Sequence, residues 1–284
     1  TDHILGDNGE MNYSGAIGAE QLTSLLSHLG EAGAGDIITL GSGDKVVIGG
    51  KGGDTVQTTL NSIGSRIVLG DEGQLDYDAN NILQSAKSTS TEGGDDILNL
   101  GGASSSDSNI VIGGVGSLDK ITTGDSTDIV LGDNGAIQWS GGLLASISST
   151  DTADGGTNEI TLGNGSKTVI GGTGGDTIIT GTSGIHRVIG DNGEISFEAG
   201  ALRSMSSSDD VNGGLDKITL SGDINQVIGG SDVDTITVTT ASSTDHILGD
   251  NGEMNYSGAI GAEQLTSLLS HLGEAGGDDI ITLG

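Results

Sequence analysis

The chain has 284 residues, 54 of them glycine, with no proline, no cysteine, 2% aromatics and a formal net charge of −31. Nine basic residues against forty acidic ones exclude nucleic acid as a main partner, because phosphate binding needs a basic footprint, and the missing cysteines exclude disulfides and thiolate metal sites. So few large side chains cannot fill a wide core, yet 33% hydrophobic residues is too many for a disordered chain; a narrow core of Val, Ile and Leu fits both, and the excess acid calls for bound cations or strong solvation.

The chain opens inside a repeat. Residues 1–41 recur as 244–284 with only Ala34/Gly277 and Gly35/Asp278 differing, an offset of 243 that reads as an excerpt of a longer tandem array. Inside this long period a shorter one runs. The motif [VI]-[LI]-G-D-[NE]-G places aspartates at Asp7, Asp71, Asp133, Asp191 and Asp250, and V-I-G-G recurs at Val47–Gly50, Val111–Gly114, Val169–Gly172 and Val227–Gly230. Four units of roughly sixty residues follow, at about 36–95, 96–157, 158–215 and 216–278.

The first insert, 14–35, carries Leu22, Leu25, Leu26 and Leu29 at helical spacing, with Gly30 as a stop. This predicts a short helix covering the array; an ordinary surface loop is the alternative, and a partner-binding patch is a further use. Comparable inserts lie at 78–94, 140–156, 198–214 and 257–278, where Leu143, Leu144 and Leu202 favour docking on the core. Tyr13, Tyr77, Trp139 and Phe197 occupy one equivalent position, which argues packing rather than a ligand platform.

Between the inserts aliphatic residues keep a register close to nine. The first unit has Ile38, Val47, Val56, Val68 and Leu75; the third Ile160, Val169, Ile178, Val188 and Ile195; the fourth Ile218, Val227, Ile236, Ile247 and Met254. Nine residues make one short strand and one tight turn, and two such steps make one coil of a flattened solenoid whose strands must stack to be stable. Ile-Thr-Leu at 160–162 and 218–220 alternates as a half-buried strand does, and in 119–122 Lys120 and Thr122 face out while Ile121 faces in. The expected fold is an all-β parallel β-solenoid with short inserted loops or helices. At two strands per coil, a 243-residue copy of some twelve coils spans about 55–60 Å.

The turns carry the chemistry. Gly49-Gly50-Lys51-Gly52-Gly53-Asp54-Thr55-Val56-Gln57 and Gly171-Gly172-Thr173-Gly174-Gly175-Asp176-Thr177-Ile178-Ile179 fit G-G-x-G-x-D-x-U-x, U being aliphatic. Gly113–Asp119 has one extra residue, and Gly229–Asp234 puts Asp232 in place of the fourth glycine. Calcium takes six to eight hard oxygens, mixing carboxylates with backbone carbonyls, and glycine lets a turn aim its carbonyls inward.

With these nonapeptides the chain resembles the RTX (hemolysin-type) calcium-binding β-rolls, of the large secreted adhesin or matrix kind. The resemblance implies Ca2+ shared between neighbouring turns on one side of the roll, and type I secretion. Alternate turns fall on one edge, which groups Asp36, Asp54 and Asp71; Asp96, Asp119 and Asp133; Asn158, Asp176 and Asp191; and Asp216, Asp234 and Asp250. The aspartates of these trios are the candidate ligands, solvated turn residues being the plainer reading, above all for Asp71 and its equivalents. The opposite edge has Lys45, Asn109, Lys167 and Asn225 at the corresponding place.

No zinc-type histidine cluster, nucleophile elbow, phosphate loop, membrane-length apolar run or signal peptide is present. The expectation is a non-enzymatic, extracellular or cell-surface stalk or matrix fibre, binding calcium and self-associating or continuing end to end, with no membrane insertion. The rivals are the non-catalytic repeat region of a polysaccharide-modifying enzyme and an ice-binding solenoid with a regular outward threonine array, at which Thr161, Thr177 and Thr180 hint.

Overall fold

The computed structural model describes residues 1–30, 32–101, 106–208, 212–271 and 276–284. Among them every regular element is a strand. From Ile37 onward the chain alternates between two parallel sheets. Ile37–Leu40 lies in an outer sheet, Lys45–Ile48 in a middle sheet, Thr55–Thr58 in the outer and Arg66–Leu69 in the middle. The chain then leaves into a β-hairpin, Gly73–Tyr77 and Leu83–Ser88, and returns to the outer sheet at Ile97–Leu100. Each unit repeats this path, so the fold is an all-β parallel β-solenoid with a hairpin inserted after every second coil.

The hairpins join side by side into a third, antiparallel sheet of ten strands against the far face of the middle one. The middle sheet is therefore buried on both faces, as Lys45–Ile48 and Lys167–Ile170 are along their whole length. That explains the unbroken V-V-I and T-V-I runs where a one-sided strand would alternate. Val47, Val68, Val111, Val130, Val169, Val188 and Val227 stack in register and face the outer sheet, against Val56, Leu98, Ile121, Ile160, Ile178, Ile218 and Ile236. Ile48, Leu69, Ile112, Leu131, Ile170, Ile189 and Ile228 face the hairpins, against Leu75, Ile137, Ile195 and Met254. Two narrow aliphatic cores thus replace one wide one. Tyr77, Trp139 and Phe197 pack against the second core, as the recurring aromatic position implied, and so does Tyr256, whereas Tyr13 at the same position is exposed.

The inserts correct the sequence reading twice. Leu22 and Leu25 lie not on a helix but on strand Gln21–Ser27, both buried. Asn12 pairs with Ser24 and Tyr13 with Leu22, so Thr23 is an extra, bulged residue. A bulge shifts the alternation by one, and two leucines three apart then share a face. The same bulge recurs at Gln84, Ala145, Arg203 and Thr266. Secondly, the middle sheet advances by eight strands from Asp2–Leu5 to the equivalent residues of Thr244–Asp250. At about 4.8 Å per strand a 243-residue copy rises about 38 Å, because the hairpins add width rather than length.

Candidate metal centre

Each return from the middle to the outer sheet, through a short glycine turn or by way of a hairpin, ends on Asp or Asn. After Lys45–Ile48, Gly50 and Gly52 take φ of 113° and 111°, and Asp54 stands just before Thr55–Thr58. In the fourth unit Asp232, replacing a glycine, sits at φ 67°, a left-handed conformation that Asp tolerates.

These terminal residues form one continuous ladder. The backbone N–H of Asp36 donates to Oδ1 of Asp54 (2.6 Å), Asp54 to Asp96 (2.6 Å), and Asp96 to Asp119 (2.7 Å). Asp119 donates to Asn158 (3.2 Å), Asn158 to Asp176 (2.6 Å), and Asp176 to Asp216 (2.7 Å). Asp216 donates to Asp234 and Asp234 to Asp279, each at 2.9 Å. The second carboxylate oxygen behaves differently: Oδ2 of Asp36, Asp54, Asp96, Asp119, Asp176, Asp216 and Asp234 is buried and accepts no hydrogen bond. Each points to the glycine that ends a middle-sheet strand. A Cβ built on Gly49 would lie 2.3 Å from Asp54 Oδ2 and 2.1 Å from the Gly70 carbonyl oxygen; on Gly171 it would lie 2.4 Å from Asp176 Oδ2 and 2.0 Å from the Gly190 oxygen. Carboxylate and carbonyl oxygens thus converge on spaces that only glycine leaves open.

Burial without a counter-charge raises the carboxyls of Asp54, Asp96, Asp119, Asp176, Asp216 and Asp234. It pushes Asp54 up to about 6, Asp119 to about 7, Asp234 to about 8 and Asp96 to about 10, with neighbouring carboxylates adding to the effect. Asp176 is raised well above the carboxylate range by burial and then by the charge of Asp216, and Asp216 by burial and then by the charge of Asp191. Asn158 interrupts the series. Its Nδ2 takes the place of an Oδ2, lies 2.6 Å from a Cβ built on Gly132, and donates to Asp133 Oδ1 (3.0 Å) and the Gly156 carbonyl (3.3 Å).

Asp71 and its equivalents form a second row, and at Asp71, Asp133 and Asp191 both oxygens are occupied. Asp71 Oδ2 accepts from Val115 N–H (2.5 Å) and Oδ1 from Gly94 N–H (3.2 Å). Asp133 is held likewise by Thr173 and Gly156 and Asp191 by Ser231 and Gly214, while Asp250 accepts at Oδ1 from Gly277 N–H. Burial still pushes Asp71 to about 8 and Asp133 and Asp191 to about 7. These aspartates clamp the glycine turn of the following coil to the segment returning from the hairpin. Asp279 joins the ladder unlisted in the sequence trios; it is the copy of Asp36 at offset 243, the signal that identifies it.

At the opposite edge the first position of the middle-sheet strands carries Asp2, Lys45, Arg66, Asn109, Asp128, Lys167, His186, Asn225 and Asp245 in register. Lys45 and Lys167 there pair with Asp2 and Asp128, whereas the ladder holds eight carboxylates and one amide. Among the described residues no three acidic or histidine side chains converge on one point. An ion in the ladder would therefore combine one or two carboxylates with backbone carbonyls, a donor set that suits calcium. Compared with known protein families, curated proteins and solved structures, the chain finds no match.

Proposed function

We propose that the chain is a calcium-binding structural region of RTX type, forming a stiff extracellular stalk or matrix fibre of a large secreted bacterial protein. The observation that carries this reading is the file of buried Asp Oδ2 atoms without donors, each set beside a glycine carbonyl of the next coil. Buried carboxylates are costly unless protonated or paired with a cation. Asn158 apart, the ladder offers hard oxygens, in irregular geometry with few charges per position, which favours Ca2+ over Mg2+ and favours weak sites filled at extracellular calcium levels. Asp36, Asp54, Asp96, Asp119, Asp176, Asp216, Asp234 and Asp279 are the carboxylate ligands in this reading. Asp71, Asp133, Asp191 and Asp250 hold the turns in shape and reach an ion only secondarily.

The site-bearing turns recur in every unit, as the parts of a structural repeat do, and the proposed role is a non-catalytic one. Further copies extend the array end to end through the same strand pairing, since 244–284 repeats 1–41. The ice-binding alternative is weakened by the outer sheet. Thr39, Thr122, Thr161, Thr219, Thr237 and Thr282 share one outward column, but Gln57, Asn99 and Ile179 interrupt it. A Lys120–Glu159 ion pair (3.0 Å) lies in the column beside it. Circular dichroism in chelator and then in calcium tests the proposal. A gain of β signal and of thermal stability with calcium is expected; an unchanged spectrum and melting curve would sink it.

A further inference from the structure

At the edge opposite the ladder, oxygen atoms converge on a cation that the chain itself supplies. Lys167 is fully buried, and its Nζ donates to Asp128 Oδ2 (2.5 Å), the Ser126 carbonyl (2.8 Å) and the Gly124 carbonyl (3.3 Å). An ammonium has three N–H donors, and all three are used. Asp128, 1% exposed, is otherwise complete: Oδ1 accepts from Asn109 Nδ2 (2.8 Å) and Ser126 Oγ (2.7 Å), and Oδ2 from Thr123 Oγ1 (2.7 Å). Two carbonyls of a glycine-bearing turn plus one carboxylate is the donor set of a hard cation. A second instance stands at Lys45, whose Nζ donates to the Ser42 carbonyl (2.8 Å) and lies 2.9 Å from Asp2 Oδ2. In both, the carboxylate comes from the preceding rung at the same register position.

We propose that the cage of Gly124 O, Ser126 O and Asp128 Oδ2 is a cation site whose resident is the tethered ammonium of Lys167, and that removing the amine while keeping Asp128 opens it to a free ion of the ammonium or alkaline-earth class. The solenoid then has one edge that depends on dissolved cations and one that carries its own. This inference stands apart from the calcium reading of the ladder, because its site shares no residue with that seam.

The test compares wild type, Lys167→Ala and the double variant Lys167→Ala/Asp128→Asn at fixed calcium, with methylammonium added in steps. Lys167→Ala should melt below wild type and recover with methylammonium. Wild type and the double variant, which lacks the carboxylate charge, should not respond. Calcium titration of Lys167→Ala should count a single ion more than wild type. If Lys167→Ala folds only when methylammonium or calcium is added, that dependence supports the proposal. Equal ion counts together with no rescue would overturn it. Should Lys167→Ala fold under no condition, Lys45→Ala carries the same measurement at the second cage, and an absence of rescue and of an added ion there would overturn it.

Discussion

Asp54 and Asp96 meet across neighbouring coils: the Asp54 N–H donates to Asp96 Oδ1 at 2.6 Å, while Asp96 Oδ2 turns away into a space shared with the Gly113 carbonyl. One oxygen serves the backbone and the other has no donor, so the two roles can be separated by substitution. Asp96→Asn keeps an Oδ1 acceptor and should fold, as Asn158 already shows in the same ladder, but with fewer calcium ions bound. Asp96→Ala also strands the buried Asp54 N–H and should cost a further 1–3 kcal/mol or so. Asn158→Asp should bind more calcium than wild type. Calorimetric titration and thermal melts check all three; equal stoichiometry throughout would refute the assignment of the ladder.

Acid should replace calcium as a stabiliser. The carboxyls of Asp54, Asp96, Asp119, Asp176, Asp216 and Asp234 are raised above 3.8, to about 6 at Asp54 and about 10 at Asp96. With folded values above unfolded ones, the folded chain binds more protons, so stability is fully present below about pH 4 and is lost as pH rises through the folded values. In chelator the melting temperature should therefore fall steadily from pH 4 to pH 8. In saturating calcium, which favours the ionised form, the slope should flatten or reverse. A melting temperature that rises with pH in chelator would contradict this account.

Glycine at the end of the middle-sheet strands is required by space. A Cβ on Gly70 would lie 1.9 Å from Asp96 Oδ2 and 2.5 Å from the Gly113 oxygen, whereas one on Gly41 meets nothing within 4 Å. Gly70→Ala should destabilise by about 1–3 kcal/mol and weaken calcium binding nearby. Gly41→Ala should stay within about 0.5 kcal/mol of wild type. Equal effects of the two in denaturant titrations would mean that the close approach at Gly70 is not a constraint.

The strands of both parallel sheets were legible because their aliphatic residues recur every nine or so positions and glycine turns separate them. The edge preference of Asp54, Asp96 and Asp176 followed from counting alternate turns. What the sequence hid was the third layer. At Leu22 and Leu25 a bulge at Thr23 imitates helical spacing, and period alone cannot separate a bulged strand from a helix turn. Spacing ranks Asp71 below Asp54 as a ligand, since Asp71 stands where the turn motif has its second glycine, but it does not show why. Both precede or occupy glycine turns, and only in the folded chain does Asp71 gain an N–H on each oxygen while Asp54 keeps one oxygen bare.

The rise per tandem copy is the sharpest test of the architecture. Two of the strand positions in each unit stack along the array in each parallel sheet, and the remaining residues fold sideways into a hairpin. A copy of 243 residues thus contributes eight rungs and about 38 Å at 4.8 Å per rung, against about 55–60 Å if every residue joined a two-strand coil. Chains of one, two and three copies in calcium should show a maximum dimension that grows by about 38 Å each time in small-angle scattering, with a cross-section that does not change. Growth near the larger figure would mean that the hairpins unroll into further coils. A radius that grows only slowly with copy number would mean that successive copies collapse on one another rather than stack, and the stalk reading would go with it.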